Sequence, residues 1–283
     1  MTRIIMKVLI VEDDVPSRNF MKDTVESQGF ETFTAENGLQ GLEEFKKVSP
    51  DLVLSDINMP KMNGLELLEE IRKISPDVIV VMVTAFGCEE YALKAMELRA
   101  NNYLKKPVRH EELLPLLKKY ASLTEKPTES FEQQEEVNKP TFSIKLYSDI
   151  TKVPNMVYWL IDATKDHLDK RDQLDVKIGL VELLNNAIEH GNLANAKELD
   201  ASKKAIAYSR EVNVEFRTSG PYCEWVITDE GKGFDWQAYL DRLKVDPLGQ
   251  EGKGLLVSKF HFNELLFNPS GNSVTARKNI SGD

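Results

Sequence analysis

Short apolar runs and amphipathic stretches alternate regularly along the first part of the chain. The apolar runs predict buried strands at 7–11, 52–55 and 78–84, with weaker strands at 31–35 and 102–104. Apolar residues at helical spacing predict a helix that starts near Pro16 and further helices at 39–47, 65–74, 89–98 and 110–121. Strands that alternate strictly with helices indicate an α/β doubly wound fold around a five-stranded parallel sheet.

The pattern changes in the second part of the chain, where helices and strands occur in separate groups. Alternating apolar positions predict strands at 142–146, 205–215, 222–228, 263–268 and 273–278. Helical spacing predicts helices at 153–169, 172–190 and 255–259. Grouped helices with mostly antiparallel strands indicate an α+β sandwich.

A polar and acidic segment at 123–141 separates the two patterns. It carries a proline near each end and few apolar residues, which favours a tether between domains. Its Glu and Gln residues would also suit a helix that relays the state of the first domain or helps the chain to dimerise. We therefore expect domains at 1–122 and 142–283, joined by this linker.

Composition narrows the class of protein. The chain has 283 residues and a net charge of -10, which argues against a broad basic surface for nucleic acid. No apolar run is long enough to span a membrane, and the first residues lack the apolar core of a signal peptide. The two cysteines match no metal or redox spacing, so we expect a cytoplasmic protein with reduced thiols.

Acidic side chains follow two of the predicted strands in the first domain. Glu12 and Asp13 follow the first strand, and Asp56 ends the third. These carboxylates should meet at one edge of the parallel sheet, where they would repel one another unless a magnesium ion lies among them. Thr84 ends the fourth strand and Lys106 follows the fifth, so a hydroxyl and an ammonium could bind a phosphoryl group on Asp56. Isolated acids at strand ends usually serve as caps, but the complete set in sheet order favours a site.

The first domain resembles a response-regulator receiver domain over residues 5–122. The resemblance rests on VLIVEDD at 8–14, DINMPKMNG at 56–64, Thr84 with the alanine after it, and YLKKP at 103–107. It implies that Asp56 is the phosphoacceptor and that Thr84 and Lys106 sense the phosphoryl group. The implied magnesium site comprises the acid pair Glu12 and Asp13, Asp56 and the backbone carbonyl of Asn58. Tyr103 matches an aromatic residue that turns inward on activation, although a packed surface tyrosine is the alternative.

One predicted helix of the second domain carries a polar row beside its apolar stripe. Glu182, Asn186 and His190 recur every four residues and should lie on one face of the helix, which we expect to end with Gly191 as a left-handed cap. An acid, an amide and an imidazole in a row could remove a proton, bind magnesium and contact a phosphate. A solvated polar face is the alternative.

Two glycine motifs favour the ligand-binding interpretation of that row. Asp229 ends a predicted strand and could accept a hydrogen bond from an exocyclic amine such as that of adenine. The glycines that follow it, Gly231 and Gly233, would let the backbone approach a ligand closely. A second pair, Gly252 and Gly254, precedes a helix whose amino end would favour a phosphate. The set is not a Walker P-loop, because no Gly-Lys-Ser/Thr follows these glycines.

This ordered set resembles the GHKL ATPase fold, specifically the short serine-kinase branch of anti-sigma factors, over residues 142–283. The resemblance implies Mg²⁺ and ATP as cofactors, with Glu182 as general base, Asn186 as magnesium ligand and Asp229 as the residue that holds adenine. His190 and the four glycines of the two motifs would complete the nucleotide site. The segment between the domains contains no histidine, which excludes a self-phosphorylating histidine kinase.

The two resemblances together predict a receiver-controlled protein-serine kinase in a partner-switching pathway. The expected partners are a cognate histidine kinase, an anti-anti-sigma protein of the STAS type and a sigma factor, and a homodimer is possible. A non-catalytic module that binds ATP and sequesters a protein partner is the alternative. A DNA-binding response regulator is disfavoured by the acidic charge and by the lack of a basic recognition helix.

Overall fold

The computed structural model describes residues 5–85, 89–124, 141–194, 200–245 and 252–280. The chain divides into two units, Met1–Glu125 and Lys126–Asp283, and each has its own sheet. Among the helices of the described ranges, none combines the length and apolar character that a bilayer-spanning segment requires.

The first unit is built on a five-stranded parallel sheet with the order β2-β1-β3-β4-β5. Its strands are β1 (Lys7–Val11), β2 (Glu31–Ala35), β3 (Leu52–Asp56), β4 (Ile79–Thr84) and β5 (Asn102–Lys105). Every residue of β3 and β4 is buried, as expected for strands covered on both faces. The predicted doubly wound sheet is therefore confirmed.

The helices that connect these strands are α1 (Val15–Glu26), α2 (Gly38–Val48), α3 (Gly64–Ile74) and α4 (Glu89–Glu97), and α5 (His110–Thr124) follows β5. Side-chain caps explain where several of them begin. Asn63 and Glu66 form a capping box at the start of α3, and Asp14 caps α1 by accepting from Ser17. The last helix continues to Thr124, and residues 125–140 of the predicted linker lie outside the described ranges.

The second unit is built on a five-stranded sheet with the order β6-β7-β8-β10-β9, whose pairs are all antiparallel. Its strands are β6 (Thr141–Tyr147), β7 (Glu211–Ser219), β8 (Tyr222–Asp229), β9 (Glu264–Phe267) and β10 (Ser273–Asn279). Its helices are α6 (Val153–Thr164), α7 (Lys170–Asn186), α8 (Ala201–Ser209), α9 (Trp236–Val245) and α10 (Lys253–His261). This arrangement confirms the predicted α+β class.

Close packing of α7 on α10 sets the position of the second glycine pair. A Cβ on Gly179 of α7 would overlap the ring of Phe262, which follows α10, so only glycine permits this approach. Ser258 of α10 donates to the carbonyl of Gly179 in α7 at 3.5 Å, and to the carbonyl of Gly254 within its own helix at 2.9 Å. Farther along the interface, His261 lies 2.9 Å from the Asp175 carboxylate. The contacts of Ser258, His261 and Phe262 hold α10 against α7.

Three predicted element boundaries in the second unit are wrong. The helix predicted at 153–169 ends at Thr164 and is followed by a 3-10 turn, and Asp169 instead caps α7 by accepting from Asp172 at 2.7 Å. The strand predicted at 205–215 begins only at Glu211, because residues 201–209 form a helix capped by Asp200. Alanine and lysine favour the helix there, and the caps decide its ends.

The third wrong boundary is the expected left-handed cap at Gly191. The α-helix α7 ends at Asn186 and continues as a π-helical segment, Ala187–Asn192, that contains Gly191. Its backbone bond from Leu193 to the carbonyl of Ile188 spans five residues. Such π-helical turns occur frequently at functional sites.

Candidate functional site

The first candidate site lies at the carboxyl edge of the parallel sheet. Glu12 and Asp13 follow β1 and Asp56 ends β3, and their ligand oxygens all lie within 4.8 Å of one another. Glu12 and Asp56 are buried, whereas Asp13 is exposed. Three carboxylate oxygens at this separation fit a hard divalent cation such as Mg²⁺, which prefers oxygen ligands.

Lys106 supplies the positive charge of this site. Its ammonium lies 2.8 Å from Glu12 Oε1 and 2.8 Å from Asp56 Oδ2, and the Lys106-Pro107 peptide bond after β5 is cis. Burial raises the pKa of Glu12 above its ordinary value, and the hydrogen bond from Lys106 opposes that shift. Burial would lower the pKa of Lys106, but its hydrogen bonds with the two carboxylates raise it above 10.5. Lys106 is therefore held as a cation.

The other residues predicted for this site are close to the acids. Thr84 is buried at the end of β4, and its preceding residue, Val83, pairs in register with Asp56. The backbone N–H of Asn58 donates to Asp56 Oδ1 at 3.3 Å. The metal-binding role of the Asn58 carbonyl stays a prediction. Tyr103 is only 2% exposed, so its side chain lies in the interior.

Sequence reasoning missed Arg18, which organises the acidic loop after β1. Its guanidinium donates to the carbonyl oxygens of Glu12 at 2.6 Å and Asp13 at 3.3 Å, and it also pairs with Glu36 at 3.3 Å. A charged residue of the first helix would not by itself indicate this role. The sequence feature that could have indicated this role is the position of Arg18, five residues after Asp13. The first turn of α1 places a side chain at that position next to the loop.

The second candidate site is a cavity of about 580 Å³ in the second unit, a size typical of small-ligand pockets. Six residues predicted from the sequence line it: Asn186, His190, Asp229, Gly233, Gly252 and Gly254. Glu182 and Gly231 do not line it directly. His190 faces the cavity although it lies in the π-helical segment, beyond the regular α-helical register predicted for the polar row.

The carboxylate of Asp229 occupies a space that two glycines leave open. A Cβ on Gly191 would lie 2.5 Å from Asp229 Oδ1, and one on Gly231 would lie 2.7 Å from the same atom. The backbone N–H of Gly231 donates to Asp229 Oδ1 at 2.8 Å. Burial raises the pKa of Asp229, while this hydrogen bond and the charge of Arg210 oppose the shift. A buried carboxylate with remaining acceptor capacity suits a ligand that donates a hydrogen bond.

Glu182 and Asn186 lie against the amino end of α10. A Cβ on Gly254 would come within 3.0 Å of Glu182 Oε2 and 3.4 Å of the Asn186 amide. Gly252, just before the helix, has φ +102°, a conformation that side chains rarely adopt. The amino end of a helix attracts phosphate, so a carboxylate and an amide are held beside a potential phosphate-binding turn.

Aromatic residues missed by sequence reasoning form one wall of the cavity. Phe234 and Phe267 line it with their ring centroids 5.8 Å apart, and Tyr239 lies edge-on to Phe234 at 5.7 Å. Trp236 stacks on Phe267 at 5.6 Å. The available signal was the cluster of aromatic residues directly after the first glycine motif. Such a wall suits the flat, apolar faces of a nucleobase.

Two family models match the chain. A response regulator receiver domain matches residues 8–118, and a histidine kinase-like ATPase domain matches residues 148–278. These two matches correspond to the two units and to the two sites described above.

Curated relatives and solved structures match the receiver part. The chemotaxis protein CheY of Bacillus subtilis is 36% identical over 114 residues, which are 40% of this chain and 95% of that protein. Sporulation initiation phosphotransferase F of the same species is 36% identical over 117 residues, which are 41% of this chain and 94% of that protein. A response regulator receiver domain protein from Clostridium thermocellum gives a TM-score of 0.40 at 33% identity, covering 41% of this chain and 94% of that structure.

Proposed function

The chain belongs to the response regulators, with a receiver domain followed by a histidine kinase-like ATPase domain, and from this premise we propose that it is a receiver-controlled protein-serine kinase. The family implies phosphorylation-based signalling with an ATPase-like output. The specific part of the proposal is that the output domain phosphorylates a serine hydroxyl of a partner protein, with Glu182 and Asn186 as the residues that take part in the transfer.

The proposed input is phosphorylation of Asp56 by a histidine kinase. A carboxylate oxygen of Asp56 attacks the donor's phosphorus, and the bond to the donor nitrogen breaks as the acyl phosphate forms. The arrangement of Glu12, Asp13 and Asp56 fits Mg²⁺, which would neutralise the charge of the phosphoryl oxygens. Lys106 would then exchange its contact with Asp56 for a contact with the incoming phosphoryl group.

The proposed output reaction uses ATP in the cavity of the second unit. Asp229 accepts a hydrogen bond from the adenine amine, and the N–H groups at the start of α10 bind the phosphates. Asn186 lies beside Gly254 and would bind the Mg²⁺ that accompanies ATP. A serine hydroxyl of a partner protein attacks the terminal phosphorus, the bond to the ADP oxygen breaks, and Glu182 takes the hydroxyl proton.

The observation that carries this proposal is the position of Glu182 beside Gly254. This contact places a carboxylate next to the turn that would hold the terminal phosphate. A general base needs this proximity, and removal of such a base typically slows transfer by about 10²–10⁴-fold. We propose an anti-anti-sigma protein of the STAS type as the acceptor of the phosphate, with a sigma factor as the protein that the output domain holds or releases.

The test measures phosphate transfer to such an acceptor in the presence of Mg-ATP by intact mass spectrometry. The wild type should add one acid-stable phosphate to the acceptor, whereas Glu182→Gln should bind ATP normally and transfer at least about 100-fold more slowly. Asp56→Asn is the matched control, since it blocks the input and leaves the ATP cavity unchanged. Full transfer by Glu182→Gln would contradict the role of Glu182.

The same measurement separates the kinase from a non-catalytic ATP-binding module. An acceptor that stays unmodified, but is bound or released according to the presence of ATP, would exclude the kinase. That result would leave the receiver in control of a nucleotide-dependent binding surface.

A further inference from the structure

Asn192 is a fully buried polar residue at the end of the π-helical segment, outside both glycine motifs. Its side-chain oxygen accepts from the backbone N–H of Glu230 at 2.7 Å. Its side-chain nitrogen donates to Ser148 Oγ at 2.9 Å and to the carbonyl of Glu211 at 3.0 Å. One amide side chain therefore joins three separate parts of the second unit.

These bonds act on the turn that carries Asp229. Glu230 directly follows Asp229, so its N–H is part of the peptide unit that begins at the Asp229 carbonyl carbon. The same π-helical segment presents Gly191 to the Asp229 carboxylate and to Gly231. The carbonyl of Asn192 also accepts from Arg210 Nη1 at 2.8 Å. The segment is thus bonded both to the turn that carries this carboxylate and to Arg210.

We propose that Asn192 is a positioning residue that fixes the Asp229 carboxylate for recognition of the nucleotide base. The inference rests on the proposed binding of adenine by Asp229. Asn192 does not itself line the cavity, and it acts through the Glu230 peptide and the placement of Gly191. If residues 187–192 continued as a regular α-helix, the Asn192 side chain would point in a different direction and would not reach the Glu230 N–H. The π-helical hydrogen bond encloses one more residue than an α-helical one, and this changes the direction of the side chains that follow.

Burial makes the hydrogen-bond partners of the Asn192 side chain necessary for stability. An amide that has lost water must keep its partners, because an unsatisfied polar group in the interior is destabilising. Removal of the Asn192 side chain frees the Glu230 N–H and allows the turn to rotate. A hydrogen bond from the base to Asp229 tolerates only a few tenths of an ångström of such movement before it weakens.

The experiment measures the dissociation constants of the full chain for ATP and for inosine triphosphate by isothermal titration calorimetry. Inosine triphosphate has the same phosphates and ribose but carries a carbonyl oxygen in place of the adenine amine. Asn192→Ala should weaken ATP binding by about tenfold, as expected for the loss of one charged hydrogen bond, with little change for inosine triphosphate. The preference for ATP should therefore fall by about the same factor.

Two further variants separate positioning from general destabilisation. Ser148→Ala removes one partner of the Asn192 nitrogen and keeps the bond to Glu230, so it should retain the preference for ATP. Asn192→Asp keeps the size of the side chain and the oxygen that accepts from Glu230, so it should retain more of that preference than Asn192→Ala. Circular dichroism confirms that each variant is folded. If Asn192→Ala does not fold, Asn192→Leu replaces it, because leucine fills a similar space but cannot accept from the Glu230 N–H, and it should lose the preference for ATP.

The outcomes distinguish this inference from the function on which it rests. A wild type that prefers ATP, combined with Asn192 variants that lose affinity for both nucleotides equally, would overturn the positioning role alone. A wild type that binds both nucleotides equally would overturn the assignment of Asp229 and, with it, the role of Asn192. A selective loss for ATP in Asn192→Ala, spared in Ser148→Ala, is the expected result.

Discussion

Gly191 offers the sharpest test of how the second site is built. The glycine was expected to cap a helix in the left-handed conformation, but it lies inside the π-helical segment and faces the carboxylate of Asp229. Replacement by alanine adds one methyl group and leaves the charge of the site unchanged. That methyl would lie 2.5 Å from Asp229 Cγ and 2.5 Å from Asp229 Oδ1.

The size of the effect follows from these distances. Carbon atoms in contact prefer a separation of about 3.5–4.0 Å, so the carboxylate must move by roughly 1 Å. A hydrogen bond of ordinary length that is stretched by this amount is lost. Hydrogen bonds to charged groups contribute about 1.5–3 kcal/mol, so Gly191→Ala should raise the Kd for ATP by about 10- to 150-fold.

The assay is calorimetric titration of the full chain with ATP, repeated with inosine triphosphate. Glu189→Ala is the matched control, because Glu189 is an exposed residue of the same π-helical segment. The control should bind both nucleotides as the wild type does, and Gly191→Ala should lose affinity mainly for ATP. A Kd for ATP that stays within about twofold of the wild type, in a folded Gly191→Ala protein, would refute the steric argument.

Two further predictions concern ionic clusters in the two units. Lys106→Ala should destabilise the receiver unit by about 3 kcal/mol in EDTA, the low end for a broken buried ion pair because Lys106 is partly exposed. The change leaves the buried carboxylates of Glu12 and Asp56 uncompensated, and Mg²⁺ should restore much of the lost stability. Hydrogen exchange of the β1 and β3 peptides measures this effect, and equal protection of the variant in EDTA and in Mg²⁺ would contradict it. Burial alone would raise the pKa of Asp175, but His261 and Lys278 lower it from 3.8 to about 2. Asp175 therefore contributes roughly 2 kcal/mol to the free energy of unfolding above about pH 4. This contribution is lost as the pH falls through 2. Asp175→Asn should therefore be less stable than the wild type at pH 7 and should approach its stability near pH 2. Urea unfolding followed by tryptophan fluorescence measures this, since all three tryptophans lie in the second unit. A difference in stability that does not change with pH would count against the ionic explanation.

The receiver half could be predicted closely from the sequence, because its inner strands β1, β3 and β4 are buried on both faces and appear as apolar runs. The strand at 52–55, for example, is observed with one additional residue, Asp56. The strands of the second unit bury one face only, so their apolar pattern is weaker. A short stretch with such a pattern can also form a helix when a capping residue precedes it. Residues 205–209 were assigned to a strand for this reason, although Asp200 starts a helix that includes them.

The sequence by itself determined the two fold classes and most of the residues that meet at each site. Motif spacing sufficed for Asp56, Lys106 and Asp229, because strand ends and glycine turns are local features. Tertiary structure alone decided how these groups are supported. Asn192 and Gly191 act through contacts with residues distant in the chain, at separations of 38 residues for the Asn192–Glu230 bond and 44 residues for the Asn192–Ser148 bond. No local pattern encodes such contacts, since they arise only when packing brings buried polar groups together and requires each to find a partner.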